Sequence, residues 1–395
     1  MEITKDIIYV GVNDHNIDLF EGHYVVPEGV AYNSYVIKDE KTAVMDTVDC
    51  HFTDEWLANI KAALDGKAPD YLVVQHMEPD HSGSIKGFMD KFPEAVIVSS
   101  QKAFNMMKNF FEGEEFADRR EIVGEGDVLD LGSHKLNFVA APMVHWPEVL
   151  MTYESTDKVL FSADGFGKFG ALDVCGETGA DDDDWACEAR RYYFGIVGKY
   201  GIQVQAVLKK ASKLDIEIIC PLHGPVLKED LGYYLGLYDT WSSYRPETRG
   251  VVISYTSVYG NTKKAVELLA AKLEEKGVPK VVVNDLARSD IAECVEDGFR
   301  YDAQVLATTT FNNDIFPFMK EYINHLTERN YQKRFVAFME NGSWAPTATK
   351  TMKTMLEGCK NLDYAENGVR ILSALNDDSR AQIEALADEL SAFYK

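Results

Sequence analysis

Hydrophobic and polar positions follow two different rhythms along the chain, and the change comes near residue 250. In the first part, short apolar runs alternate with turn residues, a pattern typical of β-strands with interspersed helices. This mixture predicts an α+β layered domain built around paired sheets. Predicted strands are Asp6–Val12, Tyr32–Lys38, Thr42–Asp46, Tyr71–Gln75, Ala95–Ser99, Lys135–Ala140, Val159–Ser162 and Ile216–Cys220, and predicted helices are Asp54–Leu64, Gln101–Phe111 and Glu188–Gly198.

The second part alternates strand and helix regularly, as a parallel doubly wound α/β sheet does. The polar segment Ser242–Arg249 contains a proline and is the predicted linker, so we place the domains at 1–248 and 249–395. Predicted strands are Gly250–Tyr255, Lys280–Asn284, Ala303–Thr308, Arg334–Met339 and Val369–Leu372, and the helices that follow them are Lys263–Lys276, Asp290–Gly298, Phe318–Glu328, Thr347–Gly358 and Ser379–Tyr394.

Composition narrows the function classes. The 395 residues carry a net charge of -24, whereas nucleic-acid binding needs clustered Lys and Arg, so that partner class is excluded. The six cysteines are scattered without a CxxC pair, which predicts a reducing compartment rather than a disulfide framework. The chain has no long apolar run and its start has no signal-peptide pattern, so we expect a cytoplasmic protein without a membrane span.

Potential metal ligands are concentrated after the predicted strand Tyr71–Gln75. Single candidates follow other apolar runs, each in a turn-forming context, so all can converge at one edge of the sheets. The candidates are His76, Glu78, Asp80, His81, His145, Asp164 and His223.

Seven ligands are too many for one zinc ion but suit two metals, with Asp164 able to bridge them. Imidazole and carboxylate without thiolate favour iron, manganese or zinc. A lone His145 or His223 is also compatible with a structural role, whereas the run His76–His81 is costly to bury without a cation. We expect His15, His51, His134 and His325 on the surface.

The motif His-x-Glu-x-Asp-His at 76–81, followed by the three single candidates, resembles the metallo-β-lactamase-like domain of flavodiiron proteins. Related zinc hydrolases typically have His where this chain has Glu78. The resemblance implies an αββα sandwich in which His76, Glu78 and His145 hold one iron. It also implies that Asp80, His81 and His223 hold the other, and that Asp164 bridges the two.

In the second domain, the strand Gly250–Tyr255 leads into a loop of hydroxyl side chains and glycine just before a helix. Backbone N–H groups at a helix N-terminus bind phosphate without a basic side chain. The same residues can also be an ordinary helix cap. The loop lacks GxGxxG and resembles the flavodoxin phosphate loop, which prefers FMN; its residues are Thr256, Ser257, Val258, Tyr259, Gly260, Asn261 and Thr262.

Two further loops follow the third and fourth strands of this domain and are expected at the switch point of the sheet. Phe311 and Trp344 are candidates to flank a flavin ring, and the amides of Asn312 and Asn313 to reach its polar edge. The candidate residues of these loops are Thr310, Phe311, Asn312, Asn313, Asn341, Gly342, Ser343 and Trp344.

Together the two motif sets resemble flavodiiron proteins over nearly the whole chain, with the flavodoxin-like domain second. The resemblance implies FMN and two irons per chain, and reduction of dioxygen to water or of nitric oxide to nitrous oxide. It also implies a head-to-tail homodimer or a tetramer. The expected electron donor is a rubredoxin, a flavoprotein reductase or a reduced deazaflavin.

Two alternatives stay open at this stage. One is a binuclear zinc hydrolase of the thioesterase or glyoxalase II type fused to a flavodoxin-like module. The other is an electron carrier in which only the flavodoxin-like half works. His23 and Tyr193 are candidates for supporting the metal ligands, with core packing as the alternative. Trp146 and the aromatic residues of Arg190–Tyr193 are candidates for lining the pocket.

Overall fold

The structure is a computed structural model that describes residues 1–114, 116–181 and 184–395. The chain divides into two compact units, Met1–Asp239 and Thr240–Lys395. In the described residues, no helix is long and apolar enough to cross a membrane.

The first unit contains short strands and helices. Its strands are β1 (Ile7–Tyr9), β2 (Val12–Asp14), β3 (Leu19–Phe20), β4 (Tyr24–Val25), β5 (Val30–Tyr32), β6 (Tyr35–Ile37), β7 (Ala43–Met45), β8 (Tyr71–Val73), β9 (Val96–Ser99), β10 (Arg120–Ile122), β11 (Val128–Asp130), β12 (Lys135–Ala140), β13 (Leu150–Glu154), β14 (Val159–Phe161) and β15 (Ile218–Cys220). Its helices are α1 (Thr53–Ala63), α2 (Pro79–Ser82), α3 (Ile85–Lys91), α4 (Gln101–Phe110), α5 (Leu172–Cys175), α6 (Trp185–Tyr192) and α7 (Gly201–Ala211). A further helix, α8 (Leu231–Ser242), spans the boundary between the units.

Two sheets form the body of this unit, in the strand orders β1-β6-β7-β8-β9-β10 and β11-β12-β13-β14-β15. Side chains from both sheets meet in one buried cluster that includes Ile37, Met45, Leu136 and Phe138. This is the α+β sandwich that the sequence predicts.

Strand direction brings several strand ends to one edge. β7 runs parallel to β8, and β14 runs parallel to β15. β12 and β14 are both antiparallel to β13, so their carboxyl ends also lie on the same side. The loops that follow β7 and β8 therefore share one edge, as do the loops after β12, β14 and β15 in the other sheet.

Two local expectations for the first unit are wrong, those for Asp6–Val12 and His134, and the predicted helix Glu188–Gly198 changes type along its length. The predicted strand Asp6–Val12 breaks into β1 and β2, because the chain passes so close to Tyr32 that a Cβ at Gly11 would lie 2.4 Å from the Tyr32 carbonyl oxygen. The helix predicted at Glu188–Gly198 is α6 followed by a π-helical turn, Tyr193–Val197. His134 is buried rather than exposed.

The second unit has the predicted alternation of strands and helices. Its elements are β16 (Thr248–Tyr255), α9 (Asn261–Glu275), β17 (Val281–Asp285), α10 (Ile291–Arg300), β18 (Tyr301–Phe311), β19 (Asp314–Ile315), α11 (Pro317–Glu328), β20 (Phe335–Asn341), α12 (Ala348–Leu356), β21 (Asp363–Tyr364), β22 (Val369–Ile371) and α13 (Asp377–Ala392). The order β17-β16-β18-β20, with β21 and β22 beside β20, is parallel throughout, and β19 forms a hairpin with β18. This is the flavodoxin-like order, whose switch point lies between the first and third strands, here β16 and β18.

Candidate metal centre and cofactor loops

The loop after β8 carries four of the seven candidate ligands in six residues. His76 comes three residues after the end of β8, and Pro79 begins the one-turn helix α2, where its fixed φ and missing N–H are tolerated. His76 and His81 are completely buried. Burying two imidazoles beside carboxylates requires compensating charge, so this loop is built for a cation.

All seven candidates come together, in two groups. One contains His76, Glu78, His145 and Asp164, and the other contains Asp80, His81 and His223. In each group, one potential ligand atom per residue lies within 4.8 Å of the others, which is the spacing that a shared ion requires.

Asp164 lies between the two groups. Its Oδ2 is 3.1 Å from Nε2 of His76 and 3.3 Å from Nε2 of His145. Its Oδ1 is 3.4 Å from Nε2 of His81 and 3.6 Å from Nε2 of His223. Each carboxylate oxygen therefore faces one group, as a carboxylate that bridges two metal ions does.

The residues fit a pair of cations. Nε2 of His81 and Nε2 of His223 are 2.9 Å apart. The second of these carries a lone pair, because the His223 Nδ1–H donates to the Ala31 carbonyl at 2.8 Å. Within the described part of the chain, both carboxylate oxygens of Asp80 are buried without a hydrogen-bond partner. Converging lone pairs and unpartnered buried oxygens are the donor set that a divalent ion satisfies.

The electrostatics of the metal-free site show its surplus of negative charge. Burial opposes the charged form of His76, but Asp164, Glu148 and Glu78 outweigh it and raise the His76 pKa well above its ordinary value. The same balance, with Asp164 and Glu78 as the acceptors, raises the pKa of His145 to about 9. Protons on these imidazoles occupy the place of metal cations, so metal binding must displace them.

Two residues outside the predicted ligand set contact the ligands directly. Glu148 accepts a hydrogen bond from Nδ1 of His76 at 2.8 Å, and Tyr192 donates its hydroxyl to Oδ1 of Asp164 at 3.0 Å. Such outer partners fix the orientation and protonation of metal ligands. Glu148 lies only three residues after His145 and just before a buried strand, which is a signal that sequence reasoning can use. Tyr192 lies in the stretch Arg190–Tyr193, whose aromatic residues the sequence predicts to line the pocket.

Residues that follow β7 hold both ends of the ligand loop. Asp46 accepts hydrogen bonds at 2.7 Å from the backbone N–H and from the side-chain amide of Gln75, just before His76. Thr47 donates its N–H and its hydroxyl to the carbonyl of His81 at 3.0 and 2.7 Å. The β7 end thereby fixes the path of the chain from Gln75 to His81.

The candidates for supporting the ligands or lining the pocket, His23, Tyr193 and Trp146, differ in their surroundings. His23 is exposed and stacks on Tyr24, with ring centroids 4.0 Å apart. Tyr193 is buried and packs edge-on against Tyr238, with a centroid distance of 5.1 Å. The neighbouring Tyr192, rather than Tyr193, contacts a ligand candidate. The Trp146 ring lies edge-on to His76, at 5.2 Å between centroids, and lines this side of the site.

The predicted phosphate loop lies at the switch point of the second unit. Thr256, at the end of β16, and Thr308 of β18 share a hydrogen bond of 2.6 Å between their hydroxyls. Oγ of Ser257 accepts from the N–H groups of Gly260 and Lys263, which shapes the entry to α9. The first N–H groups of an α-helix have no intrahelical acceptor, so the start of α9 is available to an anion.

The other two candidate loops, which follow β18 and β20, adjoin the predicted phosphate loop. Asn341 donates to Thr262 at 3.4 Å, and Thr310 Oγ1 accepts the Thr347 N–H at 2.9 Å, which ties the loop after β18 to the start of α12. Asn312 and Asn313 have φ of 51° and 60° and form the two-residue turn between β18 and β19.

Large aromatic surfaces are exposed at these loops. Tyr259 is 92% exposed and Trp344 is 82% exposed, and Phe311 is also exposed. The cradle at Gly260 is open, because nothing lies within 4 Å of a Cβ placed there. Exposed rings beside an open helix N-terminus fit a ligand that combines a phosphate with a planar ring system, as FMN does.

Comparison with known proteins identifies the family. A family profile described as "ODP family beta lactamase" matches residues 30–224. The nitric oxide reductase of Moorella thermoacetica is 31% identical over 370 residues, which is 93% of this chain and 92% of that protein. The anaerobic nitric oxide reductase flavorubredoxin of Escherichia coli is 30% identical over 362 residues, which is 90% of this chain and 74% of that protein.

Solved structures agree over the full length. The flavodiiron protein of Giardia intestinalis has a TM-score of 0.90 and 27% identity, and the alignment covers 100% of this chain and 97% of that one. The chain belongs to the flavodiiron family. A second solved structure, the rubredoxin oxygen:oxidoreductase of Desulfovibrio gigas, has a TM-score of 0.92 and 25% identity, with coverages of 100% and 98%. Membership of the flavodiiron family confirms the fold class predicted from the sequence.

Proposed function

We propose that this flavodiiron protein is an oxidoreductase that reduces dioxygen to water, nitric oxide to nitrous oxide, or both. The observation that carries the proposal is the buried Asp164 carboxylate with one oxygen toward each of two histidine-rich groups. These residues would hold two irons, which when bound would provide redox chemistry for a diatomic gas, and the second unit would hold FMN as the source of electrons.

The chain's own residues hold and shield the metals. His76, Glu78 and His145 bind one ion and Asp80, His81 and His223 bind the other, with Asp164 between them. Glu148 and the Ala31 carbonyl fix the protons of His76 and His223 on Nδ1, so that each Nε2 lone pair points into the site.

Aromatic rings close the site around His223. Phe20, Tyr192 and Tyr32 have ring centroids 5.3, 5.5 and 6.0 Å from that of His223. A wall of this kind shields the His223 side of the site from water.

In the second unit, the start of α9 binds the FMN phosphate through backbone N–H groups. Tyr259, Phe311 and Trp344 provide surfaces for the ring, and Asn312 and Asn313 provide amides for its polar edge. Electrons reach this FMN from a separate redox donor of the rubredoxin class, a proposal supported by the printed name of the Desulfovibrio gigas relative. The active form is a homodimer or tetramer, to be measured by analytical ultracentrifugation.

The first experiment measures metal and flavin in protein purified without oxygen from iron-supplemented medium. We expect about two irons and about one FMN per chain, and consumption of at least one of the two gases when the flavin is kept reduced. Zinc in place of iron, together with thioester or ester hydrolysis, would show that the binuclear hydrolase is correct and the reductase is not.

Substitution tests the role of the metal centre. His145→Ala should abolish gas consumption and leave the flavin reducible, because His145 belongs only to the metal site. His51→Ala is the matched control, since the His51 side chain is 84% exposed and should be dispensable. Unchanged gas consumption in His145→Ala would favour a carrier in which only the flavin works.

A further inference from the structure

The hydrogen bonds behind the two metal-binding groups differ in charge. Behind His76 lies the carboxylate of Glu148, which is buried. Its Oε1 accepts the Nδ1–H of His76 at 2.8 Å and the backbone N–H of Met77 at 2.9 Å. A full negative charge therefore supports one imidazole of the group formed by His76, Glu78 and His145.

The second group has weaker support. His223 donates to the neutral carbonyl of Ala31, and Nδ1 of His81 is buried without a hydrogen-bond partner among the described residues. Tyr192 donates its hydroxyl to Oδ1 of Asp164, which is the oxygen that faces His81 and His223. This donation withdraws electron density from the ligand atom that the second group shares.

Both differences favour tighter metal binding by the group formed by His76, Glu78 and His145. A carboxylate acceptor makes a ligating imidazole more basic than a carbonyl acceptor does, and a hydroxyl donor makes a carboxylate oxygen a weaker ligand. Both groups have the same number of ligands when Asp164 is counted in each. The outer hydrogen bonds, rather than the ligand count, therefore distinguish the two positions.

We propose that the two metal positions are unequal: the position of His76, Glu78 and His145 binds its ion more tightly, and Glu148 is the positioning residue responsible. The inference rests on the proposed two-metal site. It adds an order of loading and release, in which the ion at Asp80, His81 and His223 is the later to bind and the first to leave.

The test uses the full chain loaded with two Co²⁺ ions and titrated with EDTA, with bound metal followed by elemental analysis and by the visible Co²⁺ spectrum. The wild-type chain should lose its ions in two steps. In Glu148→Gln the amide oxygen still accepts from His76, so the geometry is kept while the charge is removed. The last ion should then leave at an EDTA concentration about 10- to 100-fold lower.

Matched variants assign the steps. His223→Ala should retain one ion with the wild-type resistance to EDTA, and adding Glu148→Gln to it should abolish that resistance. In His145→Ala, the remaining ion should be weakly bound and insensitive to Glu148→Gln. Glu340→Gln is the control, because Glu340 is a buried carboxylate of the second unit that pairs with Arg370.

The weaker position has its own test. Tyr192→Phe should raise the EDTA concentration at which the first ion leaves, because Asp164 Oδ1 regains its donor strength. Tyr238→Phe is the comparison variant and should not, since the Tyr238 hydroxyl accepts the Phe166 N–H. Should Glu148→Gln fold poorly, Glu148→Asp keeps the charge and should retain two-step release.

Loss of both ions in a single step from the wild-type chain would overturn the inference, as would an equal effect of Glu148→Gln on His223→Ala and His145→Ala. Failure of the proposed function looks different. A chain that releases its ions in two steps, of which only the later depends on Glu148, but reduces neither gas would refute the reductase and leave the inequality of the positions intact.

Discussion

Asp164 concentrates the chemistry of the metal centre in one side chain. It is completely buried, and burial of a carboxylate is costly unless cations compensate for it. Four imidazole Nε2 atoms lie within 3.6 Å of its two oxygens. In the proposed two-metal site, both ions would depend on this residue, whereas each of the other candidates belongs to one group.

We predict that Asp164→Asn lowers the metal content at both positions and leaves the FMN content unchanged, because the amide presents one neutral oxygen in place of two charged ones. Elemental analysis and flavin absorbance measure the two quantities. Asp90→Asn is the control, because the Asp90 side chain is 69% exposed and pairs with Lys86. Retention of two ions in Asp164→Asn would contradict the bridging role.

Asp46 gives the metal-free chain a pH-dependent stability. Burial raises its pKa to about 6, although hydrogen bonds from Gln75 oppose this shift. An unfolded aspartate titrates near 3.9, so between about pH 4 and pH 6 the folded form keeps a proton that the unfolded form has lost. The contribution of Asp46 to stability therefore decreases as pH rises through this window.

We predict that, relative to Asp46→Asn, the unfolding free energy of the wild type falls by on the order of 2 kcal/mol between pH 4 and pH 6.5. Asparagine does not titrate, so the variant lacks this term. Urea denaturation of the chelator-treated proteins at a series of pH values measures it. A difference that is constant with pH would show that Asp46 titrates normally.

The seven ligand candidates were predictable because four lie in one short run and the others directly follow apolar strands. Their partners were not, since Glu148 meets His76 across 72 positions and Asp46 meets Gln75 across 29. Such pairs depend on which strands are neighbours, and local patterns do not report strand order. His134 was wrongly expected on the surface for the same reason: Glu154 on the adjacent strand β13 lies 3.2 Å from its Nδ1.

Among the elements, α9 shows how backbone conformation prepares a binding site. Its N-cap residue Gly260 has φ of 85°, a left-handed conformation that side-chain-bearing residues disfavour. The turn directs the first N–H groups of the helix toward the open cradle. No neighbouring atom restricts a Cβ at this position, so the effect of backbone conformation can be separated from the effect of packing.

We predict that Gly260→Ala destabilises the second unit by about 1–2 kcal/mol and weakens FMN binding, because alanine must adopt the left-handed conformation. Gly358→Ala is the matched control: it also has open space, but its φ is not positive, so little change is expected. Thermal unfolding and fluorescence titration with FMN measure the two effects. Equal behaviour of the two variants would refute the role of φ.

The strands and helices of the second unit were easier to predict from the sequence than those of the first. Its strands and helices are long and periodic, and each predicted βα pair is present. In the first unit, β13 was not predicted, although every residue of Leu150–Glu154 is buried. With both faces covered and polar residues included, this strand shows neither alternation nor a continuous apolar run, which are the patterns that reveal strands.

The whole molecule consists of two compact units, each with its own core. The candidate metal ligands all lie in Met1–Asp239, and the candidate FMN residues all lie in Thr240–Lys395. Units with separate cores commonly fold separately.

We therefore predict that residues 240–395, produced alone, fold cooperatively and bind FMN with no requirement for metal. Residues 1–239 should bind two metal ions without flavin. Circular dichroism, flavin fluorescence and metal analysis of each fragment test this expectation. A fragment 240–395 that is unfolded, or that binds FMN only after mixing with the other fragment, would show that the units depend on each other.

The exposure of Trp344 has a spectroscopic consequence. Trp56, Trp185 and Trp241 are buried and Trp146 is partly buried, so Trp344 is the most water-exposed of the five tryptophans. Indoles in water emit at longer wavelengths than indoles in a protein interior, and the red edge of the intrinsic emission therefore comes mainly from Trp344. A flavin ring stacked nearby quenches that edge selectively, which gives the unlabelled protein its own optical report of cofactor occupancy.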